Sequence, residues 1–508
     1  MGIGTRSGRW VWIIVVALLL VWGFTDVRRR ADLDPHNIGA HRTDFTVYTE
    51  AGAAFFDGRD PYAVTNPRGW HYLYPPLFAL LVAPLYVLPT SWQGVTWFLL
   101  SLLMVAGCLS ECWKIVQRMQ EAFQGRQPAD RRNLPRWIVI ATAVSVLFPF
   151  LDTLQRGQVG VAVLLPLLIG FRLISETQGT FWWFWGGTLL ALPVVIKVTP
   201  ALPVAILLLQ QFIAAVRTDR SPIALRRFLH CVSGFTVGMI LFLLLVPTIL
   251  IGWEDNIRHL GTWSTDVVTN EHLGQTKNFD PHSVRNQSLD NAVYRLGNWF
   301  AYTFTGGPDD RHTFPPTAPP TQFPMDAPIV KTILVVPHGL LALLLIAVAV
   351  RWHSETAGAG QIAVFGLACV ISLSLSPISW GHHFVMLLPG MLFLPWALYE
   401  AHRSAARWLA ILAVTLMLGH FSTLEFAGGI GGRLGLLGIG IAIWCIVAGI
   451  YLLRMKPVHT PDILVHKPCP DPPAYSASIR LGRTGSHPFM EASCTATTWR
   501  ESDFQSRI

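Results

Sequence analysis

A handful of short motifs hold the residues of this chain that could do chemistry. The first runs from His41-Arg42-Thr43-Asp44 to Gly58-Arg59-Asp60-Pro61-Tyr62 and reads as a short amphipathic helix from near Thr43 to near Gly58. A carboxylate at its start could take a proton from a nucleophilic hydroxyl. The plainer reading of the pattern is a helix cap or a partner to the helix dipole. The second motif, Trp70-His71-Tyr72-Leu73-Tyr74-Pro75-Pro76, sets aromatics beside prolines that force an extended entry. An interfacial aromatic belt is the plain account of Trp70 and Tyr72. Arg156-Gly157-Gln158 and Ile196-Lys197-Val198-Thr199-Pro200 are polar breaks in apolar sequence. Lys197 either snorkels to a membrane interface or offers a cation to an anionic headgroup. Arg285-Asn286-Gln287-Ser288 adds a cation and two amides, and also matches a glycosylation sequon. The last motif, Ser376-Pro377-Ile378-Ser379-Trp380-Gly381-His382-His383, places a tryptophan and two histidines at the start of an apolar stretch. Adjacent histidines diverge on a helix, which makes a metal site the weaker reading. Cofactors are therefore expected to be none, with metal dependence open.

The elements that must position these motifs are membrane helices. Apolar residues make up 52% of the 508-residue chain and charged residues 13%, against about 25% charged in a soluble domain. The apolar residues come in blocks, such as 92–113, 228–251, 333–352 and 434–453. A bilayer core of about 30 Å needs roughly 20 apolar residues per helix. Lipid offers the backbone no hydrogen-bond partner, so the blocks should be helices. The seven cysteines are scattered without metal-ligand spacing. Cys108, Cys112, Cys231, Cys369 and Cys445 read as small core residues. The net charge of +8 sits in short loops between blocks, as the positive-inside bias predicts, and does not imply nucleic acid.

Counting from a cytoplasmic amino terminus gives about twelve spans. They lie at 10–25 (an uncleaved anchor), 92–115, 137–152, 158–175, two within 181–214, 228–252, 332–351, 361–377, 384–400, 406–423 and 433–453. Residues 26–72 become a first external loop and 253–331 a large one. The broken stretch 75–89 reads as re-entrant or interfacial, and 306–328 as an extended proline-rich loop. Basic loops around Arg131 and Arg226 fall on the cytoplasmic side. Arg28, Arg29 and Arg30 lie just outside the first span and run against this orientation. The domain ends near 456, and 457–508 is expected to be a disordered cytoplasmic tail. On this topology all of the motifs share the external face.

The order of Asp44, Tyr48, Gly58 to Tyr62, Tyr72 to Pro76, Gly157-Gln158, Lys197 to Pro200, Asn286 to Ser288 and Ser376 to His382 resembles glycosyltransferase family 87. The similarity runs through most of residues 40–400. That family contains mycobacterial polyprenol-phosphate-mannose-dependent mannosyltransferases. The resemblance implies a GT-C type fold with a helical first external loop, and a hexosyltransferase that inverts the anomeric centre. It implies a polyprenyl-phosphate-linked sugar donor, most plainly mannose, and a lipid or glycan acceptor of unassigned identity. It implies Asp44 as the general base and His382 as a second catalytic residue. Arg42, Tyr48, Asp60, Tyr62, Tyr74, Arg156, Gln158, Lys197, Arg285, Asn286, Gln287, Trp380 and His383 are the expected substrate contacts. One departure weakens the Gly-Gln motif: family members often carry Asn shortly after it, where this chain has Val159 and Gly160.

A lipid donor accounts for an embedded enzyme, and no nucleotide-binding glycine loop or cytosolic Asp-x-Asp domain is visible. The alternative is a transporter or flippase for a lipid-linked glycan. It would need no carboxylate-bearing external helix, and it should show charge along its spans, which look nearly free of it.

Overall fold

The computed structural model describes residues 6–34, 36–124, 134–175, 179–217, 222–269, 286–305, 328–353, 359–424, 432 and 434–455. The expected tail, most of the proline-rich stretch and Arg285 lie outside the described residues. Among those residues the secondary structure is helical, apart from an antiparallel bridge between Thr65 and His71.

Each apolar block carries a helix, because a desolvated backbone must bond internally. In chain order they are α1 (Arg6–Ala31), α2 (Phe45–Phe56), α3 (Pro76–Val82), α4 (Thr90–Gln124), α5 (Arg136–Arg156) and α6 (Gly160–Ser175). Then come α7 (Thr180–Ile196), α8 (Ala201–Arg217), α9 (Pro222–Met239), α10 (Val246–Ile251) and α11 (Trp253–Thr262). The chain closes with α12 (Leu289–Thr305), α13 (Pro328–Arg351), α14 (Ala359–Ser374), α15 (Leu387–Ala401), α16 (Arg403–Leu424) and α17 (Leu436–Arg454). Among the described residues, six helical stretches are long and apolar enough to cross a membrane: Thr90–Arg118, Arg136–Arg156, Pro222–Ile251, Thr332–Arg351, Gly381–Tyr399 and Leu436–Arg454. The helices α6, α7, α8 and α14 are apolar but only 16 or 17 residues long.

The segment α9–α10 is continuous through a π-turn at Ile240–Leu245. A π-turn misaligns carbonyls, and the buried Asn256 amide donates to the Leu243 and Leu244 oxygens at 3.2 and 3.3 Å. The main core lies between α4, α5, α6, α14, α15 and α17, with Phe171 stacked on Phe365 at 3.9 Å. The five expected core cysteines are buried and free.

A second, aromatic core carries α2. The sequence places this helix within two residues of its observed ends, because the apolar period stops at Asp57-Gly58. Phe45 stacks on Trp97 of α4 at 4.9 Å, and Tyr48 meets Phe78 of α3 edge-on at 5.2 Å. Tyr72 is fully buried here; its hydroxyl donates to the Pro75 oxygen at 2.6 Å and accepts from the Ala79 amide at 3.1 Å. The belt reading of Tyr72 is thereby corrected. The stretch 75–89 forms only α3 and a 3-10 turn at Ala83–Val87, too short to cross a bilayer.

The Arg29 and Arg30 guanidiniums pair with the buried Asp26 at 3.0 and 2.6 Å. The helices also hold more charge than composition suggests. Glu111 of α4 pairs with Arg172 of α6 at 2.5 Å, and Asp152 lies in α5.

Candidate active site

The end of α5 builds the site. Gly157 takes a left-handed conformation (φ 67°) and stops the helix. A Cβ there would lie 2.7 Å from Phe45 Cβ, so the turn fits against the start of α2 only as glycine. The freed Arg156 carbonyl accepts the Asp44 amide at 2.8 Å and the Thr43 hydroxyl at 3.2 Å. Hence α2 hangs by its first residues from the last residues of α5.

Asp44 occupies the N-cap position of α2, yet its side chain makes no cap hydrogen bond. The carboxylate turns the other way. Oδ2 accepts Gln158 Nε2 at 2.6 Å, Oδ1 accepts Arg68 Nη1 at 3.2 Å, and Arg156 Nη1 stands 3.8 Å from Oδ2. Gln158 spends its other end on the Tyr48 hydroxyl, which donates to Oε1 at 3.1 Å. Burial pushes the Tyr48 phenol well above its usual range, so it is a proton donor at any working pH. Tyr48 packs on Tyr74 with ring centroids 5.7 Å apart, and burial pushes the Tyr74 phenol up to about 12.

Lys197 follows directly on α7, in extended backbone (φ −153°, ψ 131°), where Pro193 and Pro200 interrupt the apolar run. Its ammonium stands 5.7 Å over the Tyr74 ring. A cavity of about 20 Å³, room for one water molecule, touches Lys197, Thr199, Gly160 and His383. Desolvation alone brings Lys197 down to about 7.

The histidine motif closes the far side. Residues Gly381–Met386 form a 3-10 turn leading into α15. The Thr153 hydroxyl donates to the His382 carbonyl at 3.1 Å, and His382 Nδ1 lies 3.6 Å from Asp152 Oδ2. Asp152 Oδ1 accepts Arg156 Nε at 2.8 Å. His382 and His383 meet edge-on at 4.4 Å, and Trp380 packs against Trp70 at 5.3 Å. Arg68 covers the Trp70 ring at 5.4 Å. A closed circuit results: Asp44, Gln158, Tyr48, Tyr74 and Lys197 on one side; Arg68, Trp70, Trp380, His382, Asp152 and Arg156 on the other.

The remaining sequence candidates stand apart from that circuit. Asp60 is exposed and accepts the Tyr62 amide at 2.9 Å in a local turn. Tyr62 is buried in the aromatic core, its hydroxyl on the Tyr74 carbonyl at 3.1 Å. Arg42 is exposed, and its backbone amide donates to the Arg30 carbonyl at 2.7 Å. Asn286 is buried, accepts the Ser379 amide at 2.9 Å and donates to the Pro377 carbonyl at 3.0 Å. Gln287 gives its backbone amide to the Ser379 carbonyl at 2.8 Å and its side-chain amide to the Gly432 carbonyl at 2.9 Å. Both brace the Ser376–Trp380 loop.

Arg68 and Asp152 escaped the sequence reading. Asp152 carried a signal, a carboxylate one helical turn before Arg156 in an otherwise apolar stretch. Arg68 lies in the Asn66-Pro67-Arg68-Gly69 turn and carried none. Among the described residues no group of three or more His, Cys, Asp or Glu side chains is arranged to hold a metal ion.

A buried carboxylate among neutral donors and guanidiniums, with a desolvated lysine nearby, can accept a proton on one side and hold an anion on the other. Residues 72–377 match the family model described as Glycosyltransferase family 87. Asp44 precedes the matched range and His382 follows it. The chain is 26% identical over 369 residues to the polyprenol-phosphate-mannose-dependent alpha-(1-2)-phosphatidylinositol mannoside mannosyltransferase of Mycolicibacterium smegmatis, covering 69% of this chain and 68% of that one. It is 26% identical over 390 residues to the like-named protein of Mycobacterium tuberculosis, covering 74% and 75%. A polyprenol-phosphate-mannose-dependent alpha-(1-2)-phosphatidylinositol pentamannoside mannosyltransferase of M. smegmatis is 27% identical over 393 residues, covering 73% and 75%. No solved structure matches the chain.

Proposed function

Because the chain belongs to glycosyltransferase family 87, we propose that it is a polyprenyl-phosphate-mannose-dependent hexosyltransferase of the cell membrane, working on the external face with inversion. The acceptor is a hydroxyl of a lipid or glycan. On this reading about twelve helices cross the bilayer, and both termini are cytoplasmic.

The observation that carries the proposal is the bonding around the buried Asp44 carboxylate. Each carboxylate oxygen has two lone-pair directions. Gln158 takes one on Oδ2 and Arg68 one on Oδ1, which leaves directions free for an acceptor hydroxyl. Asp44 takes the hydroxyl proton as the oxygen attacks the anomeric carbon. The bond to the donor phosphate breaks on the opposite side, and the charge that develops there needs cations already in place. Lys197 and Arg156 supply them, and His382 adds a ring nitrogen that can donate a hydrogen bond.

The short helices support a recessed site. At 1.5 Å per residue, 16 or 17 residues span only about 25 Å of a core about 30 Å thick. The helices α6, α7, α8 and α14 each begin or end at a site motif: Gln158, Lys197, Pro200 and Ser376 respectively. A polyprenyl tail can then stay in lipid while its phosphate enters the shallow gap.

The test is transfer by the purified protein in liposomes, supplied with polyprenyl phosphate mannose and a membrane lipid extract. Mass spectrometry should show an acceptor heavier by one hexose. No product from the lipid-linked donor, or equal product from a nucleotide-linked mannose alone, overturns the proposal.

A further inference from the structure

The motif carboxylate is not the only one at the site. Asp152 lies in α5, largely buried, and a buried carboxylate is costly unless its partners compensate. An ion pair with Arg156 one turn away would suffice to stabilise the helix end. Asp152 does more than that: it divides its oxygens between two elements. Oδ1 holds Arg156 Nε at 2.8 Å, while Oδ2 faces His382 Nδ1 at 3.6 Å across the gap from α5 to the 3-10 turn.

Two further features keep that gap narrow. The neighbouring Thr153 hydroxyl fastens the His382 carbonyl at 3.1 Å. At position 381 a Cβ would stand 3.1 Å from Asp152 Oδ2, so glycine there lets the carboxylate approach the turn. Arg156, held by its Nε, is left with Nη1 directed at Asp44, 3.8 Å away.

We infer that Asp152 is a positioning residue for the transfer reaction, setting Arg156 beside Asp44 and fixing His382 with Nδ1 toward the carboxylate. It acts through those two side chains and need not touch substrate. A carboxylate behind a ring nitrogen selects the tautomer that keeps the other nitrogen for substrate. The same anion favours the positive charge that Arg156 presents as the donor phosphate leaves. The inference rests on the function proposed above.

The test compares Asp152→Asn, which keeps the shape and removes the charge, with wild type in the liposome assay. The loss expected on removing such a supporting group is about 10–100-fold. It should fall on kcat, with donor KM changed less than about threefold, because the oriented charges matter most in the transition state. In the double variant with His382→Gln the loss should be no larger than the worse single loss, since both disrupt one unit. A kcat within twofold of wild type, or losses that multiply, overturns the inference.

If wild type transfers nothing from this donor, the proposed function fails instead. The inference is then decided by hydrogen exchange: Asp152→Asn should speed exchange in the 380–386 turn, and Asp44→Asn should not. Unchanged exchange in Asp152→Asn sinks it without reference to any substrate.

Discussion

Asp44→Asn should leave a folded protein that transfers sugar at about a hundredth of the wild-type rate or less. The new amide keeps an oxygen for Arg68, but its NH2 then faces Gln158 Nε2, which donates to Asp44 Oδ2 across 2.6 Å. Two donors cannot share that contact, so Gln158 must rotate and present its oxygen. Tyr48, whose hydroxyl both donates and accepts, can follow. The hydrogen bonds are remade and only the charge is lost. Arg68 and Arg156 then lack their shared anion, but their side chains are 21% and 25% exposed, so water screens part of the deficit. A fully buried pair would cost about 3–5 kcal/mol when broken. Here the cost should be about 1–2 kcal/mol, which a domain of ordinary stability survives. The rate is another matter, because a positioned base contributes about 10²–10⁴-fold. The assay is mannosyl transfer per folded molecule, with the folded fraction taken from size exclusion and thermal melting. A rate above a tenth of wild type, at equal folded fraction, would refute the base assignment.

Other perturbations reach other parts of the site. Lys197 titrates near 7 when free, and a bound phosphate should restore its charge. Above that pH donor binding takes up a proton, so donor KM should rise with pH by up to about tenfold per unit; in Lys197→Arg the rise should vanish, and a rise that persists refutes the assignment. Gly157→Ala meets Phe45 at 2.7 Å in a left-handed backbone and should cost at least about 1–2 kcal/mol, read as a lower melting temperature with impaired transfer. Arg42→Cys, at an exposed position two residues before Asp44, should react with a membrane-impermeant maleimide added outside intact cells; labelling only after permeabilisation overturns the external assignment.

The helices and the extent of α2 were legible because bilayer thickness and the 3.6-residue period act on many residues at once. The direction of a single side chain was not. At Asp44 a side chain that caps the helix and one that turns away from it look alike in sequence; Gln158 and Arg68, far along the chain or in a turn, draw it away. Amides such as Asn286 and Gln287 suit a sugar or a loop carbonyl equally, and their bonds go to the backbone of Pro377, Ser379 and Gly432. Tyr72 looked interfacial because the prolines beside it suggest a membrane edge, whereas its hydroxyl closes the turn those prolines make. Asp152 was overlooked because one carboxylate scarcely alters the hydropathy of a whole helix.

The joint between α5 and the histidine turn bears on how the enzyme is made. The ribosome delivers Asp44, Arg68, Gln158 and Lys197 within the first two hundred residues, yet the Thr153 hydroxyl and Asp152 wait for His382. A nascent chain halted before residue 376 has Asp44 and Lys197 without the turn that Asp152 and Thr153 hold. If the proposed function holds, transfer by such a chain must wait until the turn at Gly381–Met386 has docked on α5.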